Sequence, residues 1–231
     1  MIQISNLSKK YGETVVFSDL NYTFENACIY GLVGRNGAGK TTLLNILSNY
    51  DKNYTGVISI DRKKMNKVDY LDMPVAYAMD QPSFFNELTI YENLLLIASS
   101  RKIKKQEAFD KIERILDGLG LKKYENYSPL ELSKGTMQRL NNACAMIQEE
   151  KITIFDEQFS GLDPVQMKLL ENVIVEFHKK EKGIYIISSH DIECLQNVCD
   201  KCLLLHNGQI REINMEEVDR EEIAKILSEG E

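Results

Sequence analysis

Residues 28–42 read Cys-Ile-Tyr-Gly-Leu-Val-Gly-Arg-Asn-Gly-Ala-Gly-Lys-Thr-Thr. The apolar run from Ile29 to Val33 is typical of a short buried strand, and residues 41–47 continue at the spacing of a helix. The segment between them, Gly34 to Thr41, matches the pattern G-x-x-x-x-G-K-S/T. The sequence therefore predicts a strand, a glycine loop and a helix in direct succession.

A loop of this kind is suited to binding phosphate. Its glycines let the backbone curl with the N–H groups inward, and the helix that follows adds the partial positive charge of its N-terminus. We expect Lys40 to reach the β and γ phosphates, and the Thr41 hydroxyl to ligate a Mg²⁺ ion that bridges them. The predicted phosphate contacts are Gly34, Arg35, Asn36, Gly37, Ala38, Gly39, Lys40, Thr41 and Thr42.

The bulk composition narrows the class of protein. The chain has 231 residues, of which 43% are hydrophobic and 27% charged, as expected of one globular unit with a sizeable core. A net charge of -7 without a long basic block argues against a nucleic-acid partner or an anionic membrane surface. No signal-peptide pattern is visible, and no apolar stretch reaches the roughly 18 to 20 residues of a membrane span. We expect a cytoplasmic chain.

Strand patterns occupy both ends of the sequence. Alternating residues at 2–7 and 15–24 predict an N-terminal antiparallel β ribbon that turns at Tyr11-Gly12. The dipeptide Asn207-Gly208 predicts a hairpin near the C-terminus. Further strands are predicted at 57–60, 75–79, 152–155, 183–188, 202–206 and 209–213.

Helical patterns fill the middle of the chain. A helix at 164–180 lies between two strand patterns, which is a β-α-β crossover and predicts a parallel pair. The other predicted helices are Ile90 to Ser100, Gln106 to Leu119, Thr136 to Gln148 and an amphipathic segment at Arg220 to Leu227.

The five cysteines indicate reduced thiols. Cys28 and Cys144 lie in apolar periodic segments and are expected to be buried. Cys194, Cys199 and Cys202 have the spacing C-x4-C-x2-C, which can hold an iron–sulfur cluster, but no fourth ligand is evident. Free thiols are therefore favoured over an iron–sulfur cluster at these three positions.

Two further segments carry candidate chemistry. Asp156 and Glu157 follow an apolar strand pattern, at the sheet edge where ligands of parallel sheets bind. Asp156 suits a Mg²⁺ contact, and Glu157 suits the base that orients a water for attack on the γ phosphorus. His190 also follows a buried strand and could donate to that phosphate. Each segment alone would more often be a strand end or a structural histidine.

With these pieces in order, the chain resembles the ATP-binding subunit of ABC transporters. Residues 132–136, Leu-Ser-Lys-Gly-Thr, are similar to that family's LSGGQ signature, and Ser160 to Asp163 to its D-loop. His190 matches the switch histidine, and Tyr11 the aromatic residue that stacks on adenine. The resemblance implies an α/β fold for residues 1–231, a single ABC ATPase domain. Its P-loop NTPase core has a mixed sheet (about 1–81 and 150–231), and its inserted α-helical subdomain covers about 82–149.

The resemblance also implies partners. Ser133 and Gly135 would serve ATP bound to a second subunit, so that two chains, a homodimer or a paired ATPase, sandwich two ATP molecules with Mg²⁺. Asp163 of the D-loop is a further candidate for nucleotide binding. The translocation pore would lie in a separate transmembrane permease subunit, which places this chain on the inner face of the cell membrane. Aromatic residues at 84, 85 and 91 are candidates for docking that subunit. Export is implied by the signature and by residues 187–190, Ile-Ser-Ser-His.

The sequence departs from the family at several positions. Lys134 and Thr136 replace Gly and Gln of the signature, and Gln158 stands where Pro is usual. The glutamine register of the Q-loop falls on Asp80, with Gln81 beside it, so either side chain could reach the metal ion. A soluble ABC ATPase, such as an iron–sulfur assembly component, is the alternative function. A nucleotide sensor without turnover is disfavoured, because Glu157 and His190 are both present.

Overall fold

A computed structural model describes residues 1–68, 72–190 and 195–214. The predicted helix at 220–227 and Cys194 lie outside these residues. The α-helices are α1 (Lys40–Leu47), α2 (Ile90–Ser100), α3 (Lys105–Gly118), α4 (Lys134–Met146) and α5 (Pro164–Glu181). The strands are β1 (Ile2–Tyr11), β2 (Thr14–Phe24), β3 (Cys28–Val33), β4 (Thr55–Ile60), β5 (Lys63–Lys64), β6 (Val75–Ala78), β7 (Ile152–Asp156), β8 (Ile184–Ser189), β9 (Lys201–His206) and β10 (Gln209–Ile213).

A six-stranded mixed sheet forms the centre, in the order β10-β9-β3-β8-β7-β6. Strand β3 pairs in parallel with β8 on one side and β9 on the other. The pairs β6-β7 and β7-β8 are also parallel, and only β10 runs antiparallel to its neighbour. The carboxyl ends of β3, β7 and β8 therefore meet at one edge, which is where this architecture places ligands.

The N-terminal ribbon forms one side of a second, antiparallel sheet with the order β2-β1-β4-β5. Its turn falls at Gly12, and β1 extends to Tyr11, so Tyr11 ends a strand instead of lying within the turn. Close packing of β1 on β4 requires Gly56, which has φ +100° and whose Cβ, if present, would lie 2.4 Å from the carbonyl oxygen of Asn6. The predicted α/β fold with its β ribbon is confirmed.

Two hydrophobic cores cover the two faces of the central sheet. Ile29 and Val33 face the core that contains the helices α2 to α5. Tyr30 and Leu32 face the core that contains the ribbon and α1. Successive side chains of a strand point to opposite faces, so every residue of β3 is buried. The strand that leads into the glycine loop is thereby fixed on both sides.

The helices α2, α3 and α4 lie between β6 and β7 in the chain, as predicted. Helix α2 begins with a capping box, in which Thr89 and Glu92 bond to each other's backbone N–H groups. Lys111 of α3 is buried, and its ammonium lies 2.6 Å from Glu149 and 3.2 Å from Glu181 at the end of α5. This ion cluster ties the inserted helices to the central sheet layer.

Two details correct the sequence-based expectations. Helix α4 begins at Lys134, because the Ser133 side chain caps it, and the predicted start at Thr136 is two residues late. Of the three candidate docking aromatics only Phe85 is exposed, at 58%, whereas Phe84 and Tyr91 pack against the helical core. Among the described residues, no helix has the length and apolar character that crossing a bilayer requires.

Candidate nucleotide site

The glycine loop runs from Gly34 to Gly39, between β3 and α1. Gly37 and Gly39 have φ values of +80° and +101°, which side-chain-bearing residues rarely adopt. A Cβ on Gly39 would also lie 2.7 Å from Cγ1 of Val16. Of the two fixed glycines of the pattern, Gly39 is explained by this conformation, and Gly34 by a Cβ that would lie 2.8 Å from the carbonyl oxygen of Leu205. The contact of Gly39 with Val16 places the end of the loop against β2.

Lys40 is buried at the first turn of α1, with its ammonium folded over the loop. Its Nζ donates to the carbonyl oxygens of Gly34 at 2.7 Å and Arg35 at 3.5 Å. The same Nζ lies 3.2 Å from Oε1 of Glu157. The lysine therefore connects the phosphate loop to the end of β7, as the two predicted halves of the site require.

Asp156 is fully buried at the end of β7. Its Oδ1 accepts a hydrogen bond of 2.6 Å from the Ser188 hydroxyl, and its Oδ2 accepts one of 3.1 Å from the Tyr77 hydroxyl. Burial raises the pKa of Asp156, although hydrogen bonds from Ser188, Thr41 and Tyr77 act against that rise. The contact with Thr41 brings two predicted Mg²⁺ ligands together.

Glu157 and His190 form a pair at the mouth of the site. Nδ1 of His190 lies 2.9 Å from Oε2 of Glu157, and His190 is half-exposed. The backbone N–H of Glu157 donates to the Ser188 hydroxyl at 2.9 Å. One serine thus holds both the buried Asp156 carboxylate and the backbone of its neighbour Glu157.

A cleft of about 540 Å³ opens in front of these groups. It is lined by the glycine loop, the start of α1 and the residues Tyr11, Thr14, Val16, Asp80, Glu157, Ser160 and His190. Asp80 and Gln81 are both exposed, but only Asp80 lines the cleft. The cleft therefore unites most of the residues predicted to bind nucleotide and metal ion.

The side chain of Tyr11 contacts an ion pair formed by Lys9 and Asp51. Its hydroxyl donates to Oδ2 of Asp51 at 3.1 Å, and the ammonium of Lys9 lies 4.5 Å from the centre of its ring. Lys9 also pairs with Asp51 at 2.7 Å and is buried. Although partial burial favours a rise, the bonds from Lys9, Asn53 and Tyr11 lower the pKa of Asp51 overall. The ring is thus oriented toward the cleft by contacts that sequence reasoning missed.

The residues of the signature lie elsewhere. Ser133 caps α4 by accepting the N–H of Thr136 at 3.3 Å, and Asp163 caps α5 by accepting the N–H of Gln166 at 2.9 Å. Both line a second, open cleft, and none of its lining residues lines the cleft of Lys40. Gly135 also adjoins it, because a Cβ there would lie 3.1 Å from the Gln166 side chain.

Residues 17–160, more than half of the chain, match the family model described as ABC transporter. The chain belongs to the ABC transporter family. It is an ABC ATPase, which binds and hydrolyses ATP, as the resemblance implied.

Two relatives and one solved structure illustrate the relationship. The bacitracin transport ATP-binding protein BcrA of Enterococcus faecalis is 30% identical over 95% of this chain and 71% of its own length. The tungstate uptake system ATP-binding protein TupC of Peptoclostridium acidaminophilum is 29% identical over 91% of this chain and 97% of its own. A structure titled as the ATP binding subunit of an ABC transporter superposes with a TM-score of 0.88, at 26% identity over 98% of this chain and 99% of that one.

Several functional contacts of this ABC ATPase were not identified from sequence. Ser188 pairs in register with Asp156 across β7 and β8, so aligning the two predicted strands would have revealed it. Tyr77 could have been found in the same way, from its place on β6 beside β7. The link from Tyr11 to Asp51 spans 40 residues, and no pattern in the sequence indicates it.

The ABC ATPase offers oxygen ligands for a hard cation. Thr41 and Asp156 contribute a hydroxyl and a carboxylate, the ligand types that Mg²⁺ prefers, with the remaining ligands left to phosphate and water. Within residues 1–68, 72–190 and 195–214, no group of three or more His, Cys, Asp and Glu side chains could hold a metal ion by itself. The described cysteines are free thiols, and Cys28 and Cys144 are buried as predicted.

Proposed function

We propose that this chain powers a membrane transporter by binding and hydrolysing MgATP, with the pore in a separate permease subunit. The observation that carries the proposal is the convergence of Lys40, Glu157 and His190 at the mouth of one cleft. Asp156 and Thr41 lie beneath them and would hold the metal ion. A cleft that combines a phosphate loop, a metal position and a carboxylate base suits phosphoryl transfer to water.

Each residue has a distinct part in this chemistry. Bound Mg²⁺ neutralises the charge that builds up on the phosphate oxygens. Lys40 binds the β and γ phosphates, after its ammonium leaves the carboxylate of Glu157. Glu157 orients and deprotonates the attacking water, and His190 donates to the γ phosphate while it fixes the Glu157 carboxylate.

Asp80 completes the metal position in this proposal. Of the two candidates for the Q-loop role, it is the one that lines the cleft. A carboxylate is also a better ligand for a hard cation than an amide. Gln81 then remains at the surface of the loop that leads to the inserted helices.

The second cleft supports a pairing of subunits. Ser133 and Asp163 share no cleft with Lys40, so the signature cannot close over a nucleotide bound by the same chain in this arrangement. A second ATPase subunit, identical or related, would bring its phosphate loop opposite Ser133. The N-terminus of helix α4, which Ser133 caps, then adds a favourable dipole toward the γ phosphate.

The permease is proposed to dock on the inserted helices, at the cytoplasmic face of the membrane. Phe85 is the exposed aromatic in the segment after Asp80, and an exposed aromatic is a typical anchor of an interface. Asn93 fixes this segment, because its side chain donates to the carbonyl oxygens of Phe85 and Leu88. Movement of a docked helix would therefore act on Phe85, which stands five residues after Asp80 in the chain.

Export is the proposed direction, and it rests on the likeness of the signature and of residues 187–190 to exporter-type members. The relatives include an uptake system and a bacitracin transport protein, so the support for export comes from the sequence of this chain and not from their names. Both relatives are named for transport, which gives no support to the alternative of iron–sulfur assembly.

The test is an ATPase assay on the purified chain, alone and in vesicles with its permease. We expect phosphate release that requires Mg²⁺ and is lost in Lys40→Ala. Stimulation by the permease would support the transport role. The transport role would be contradicted if the vesicles moved no solute on addition of ATP and the permease did not change the ATPase rate of the chain.

A further inference from the structure

The loop that follows β7 is held by the signature helix of the same chain. Nε2 of Gln138, on α4, lies within 3.3 Å of the carbonyl oxygen of Glu157, 2.9 Å of that of Gln158 and 3.3 Å of that of Ser160. Gln138 stands five positions after Ser133, which caps the same helix. Helix α4 thus connects the signature to the backbone that carries Glu157.

Gln158 completes this connection from inside the fold. Its side chain is 1% exposed, and its Nε2 donates to the carbonyl oxygens of Met79 at 3.1 Å and Asp156 at 2.8 Å. Its Oε1 accepts a bond of 3.2 Å from Nδ2 of Asn141 on α4. Asn141 also donates to the Met79 carbonyl at 2.6 Å. The two amides therefore close a ring that joins the end of β6, the end of β7 and α4.

The backbone at Glu157 needs such support. Its φ of +54° is a left-handed conformation, which is costly for a residue with a side chain and persists only where the surroundings impose it. Gln138 and Ser188 bind the carbonyl and the N–H of this residue. The next residue, Gln158, is held by the hydrogen bonds of its buried side chain, and hydrogen bonds are stronger in such a low-dielectric interior.

We propose that Gln158 is a positioning residue, which transmits the placement of the signature helix and of the β6 end to Glu157. Met79, whose carbonyl oxygen accepts a bond from Gln158, directly precedes Asp80 in the chain. The side-chain amide of Gln158 therefore contacts the loop that carries Asp80 and, through Asn141, the signature helix α4. A proline at this position would have no side-chain donor for Met79 and no acceptor for Asn141. This inference rests on the proposed function, since it assumes that Ser133 contacts the nucleotide of a second subunit.

The consequence is communication between two ATP sites. Nucleotide at the signature of one subunit would shift α4 and, through Asn141 and Gln158, set the Glu157 of that same subunit. Hydrolysis in this pair should therefore depend cooperatively on ATP concentration. The effect belongs to the catalytic step, because the side chain of Gln158 bonds to Met79, Asp156 and Asn141, which lie outside the phosphate loop.

The test is the substitution Gln158→Met, which keeps the length of the side chain and removes its hydrogen bonds. Misplacement of a catalytic group by about 1 Å costs on the order of 10²-fold in rate, so we expect kcat to fall by about 10- to 100-fold. The dissociation constant for ATP should stay within about twofold, and the Hill coefficient should drop toward one. The matched control is Gln148→Met, which removes side-chain bonds to Arg101 and Cys144 at the far end of α4 and should leave kcat and cooperativity unchanged.

A second measurement does not depend on turnover. Amide hydrogen exchange with a non-hydrolysable ATP analogue should be faster at residues 157–160 in Gln158→Met, and unchanged at residues 34–41. Asn141→Leu should act in the same way, and the double variant should show less than the sum of the two effects. Wild-type kcat and wild-type exchange in Gln158→Met would overturn the inference and leave the ATPase function intact. Failure of the wild-type chain to bind or hydrolyse ATP would instead overturn the proposed function.

Discussion

The carboxylate of Glu157 and the ammonium of Lys40 lie 3.2 Å apart across the phosphate loop. The predicted base is thus paired with the lysine that is expected to bind the phosphates. Incoming phosphate groups must compete with Glu157 for Lys40, because one ammonium has only three donors and two of its contacts are carbonyl oxygens of the loop. Binding and the positioning of the base are therefore opposed within one site.

Glu157→Gln should separate the two processes. The amide keeps the size of the side chain but releases Lys40 from its ion pair, so ATP should bind about two- to fivefold more tightly. Loss of the base should slow hydrolysis by a factor on the order of 10² to 10⁴. Calorimetric titration and a phosphate-release assay measure the two quantities. A variant that hydrolyses ATP at the wild-type rate would remove Glu157 from the chemistry.

The same variant should accumulate as an ATP-bound pair of subunits. Light scattering should show a doubled mass that requires ATP and magnesium. Lys40→Ala, which lacks the phosphate contact, is the control and should stay monomeric at the same concentration. A Glu157→Gln protein that remains monomeric at saturating ATP would contradict the shared-site arrangement.

Tyr11→Ala should weaken ATP binding by about threefold to tenfold, since stacking on an aromatic ring contributes about 0.5 to 1.5 kcal/mol beyond area burial. Tyr11→Phe should change the affinity little, because it removes only the bond to Asp51 and keeps the ring. Inorganic tripolyphosphate, which has no base, should bind the three proteins equally. Equal ATP affinity of wild type and Tyr11→Ala would exclude the stacking role.

Asp156→Asn should change how stability depends on pH. Because the pKa of Asp156 is raised in the folded protein, its protonated form is favoured there, and wild type should lose this contribution as the pH rises from the unfolded value of about 3.9 through the raised value. The variant cannot titrate, so its Tm minus that of wild type should increase between pH 4 and pH 7 in metal-free buffer. MgATP at neutral pH should reverse the order, by stabilising only wild type. A Tm difference that is constant with pH would contradict the raised pKa.

Phe85→Glu should leave the isolated chain folded and reduce coupling to the permease, because the Phe85 side chain is 58% exposed. Phe84→Glu is the contrasting variant: its ring packs against the helical core, so the free energy of unfolding should fall. Circular dichroism melts and permease-stimulated ATPase rates measure both. Full stimulation of Phe85→Glu would place the docking surface elsewhere.

The sequence predicted this fold well where periodicity and glycine chemistry dominate. The strand, loop and helix around Gly34 to Thr41 were located to within one residue, because the local pattern leaves few alternatives. The start of α4 was misplaced, since Ser133 is a cap only if its side chain turns back on Thr136. The ion pair of Lys9 and Asp51, which contacts Tyr11, was not predicted, because the two residues meet only after the ribbon packs over the end of α1.

Some residues of the site also follow from a pattern in the sequence, whereas others do not. Asp156, Glu157 and His190 were identified by their position at strand ends, which a parallel sheet brings together. The roles of Gln138 and Asn141 depend on side-chain geometry between distant elements. Such contacts have no period in the sequence, so only the structure shows them.

The position of β3 in the sheet has a consequence for how the protein is made. Strand β3, residues 28–33, leads directly into the phosphate loop, but the two strands that pair with it are β8, residues 184–189, and β9, residues 201–206. During synthesis the loop leaves the ribosome long before either flanking strand exists, and such distant pairings form slowly. ATP can therefore stabilise the completed site only after residues 184–206 have been synthesised and have paired with β3.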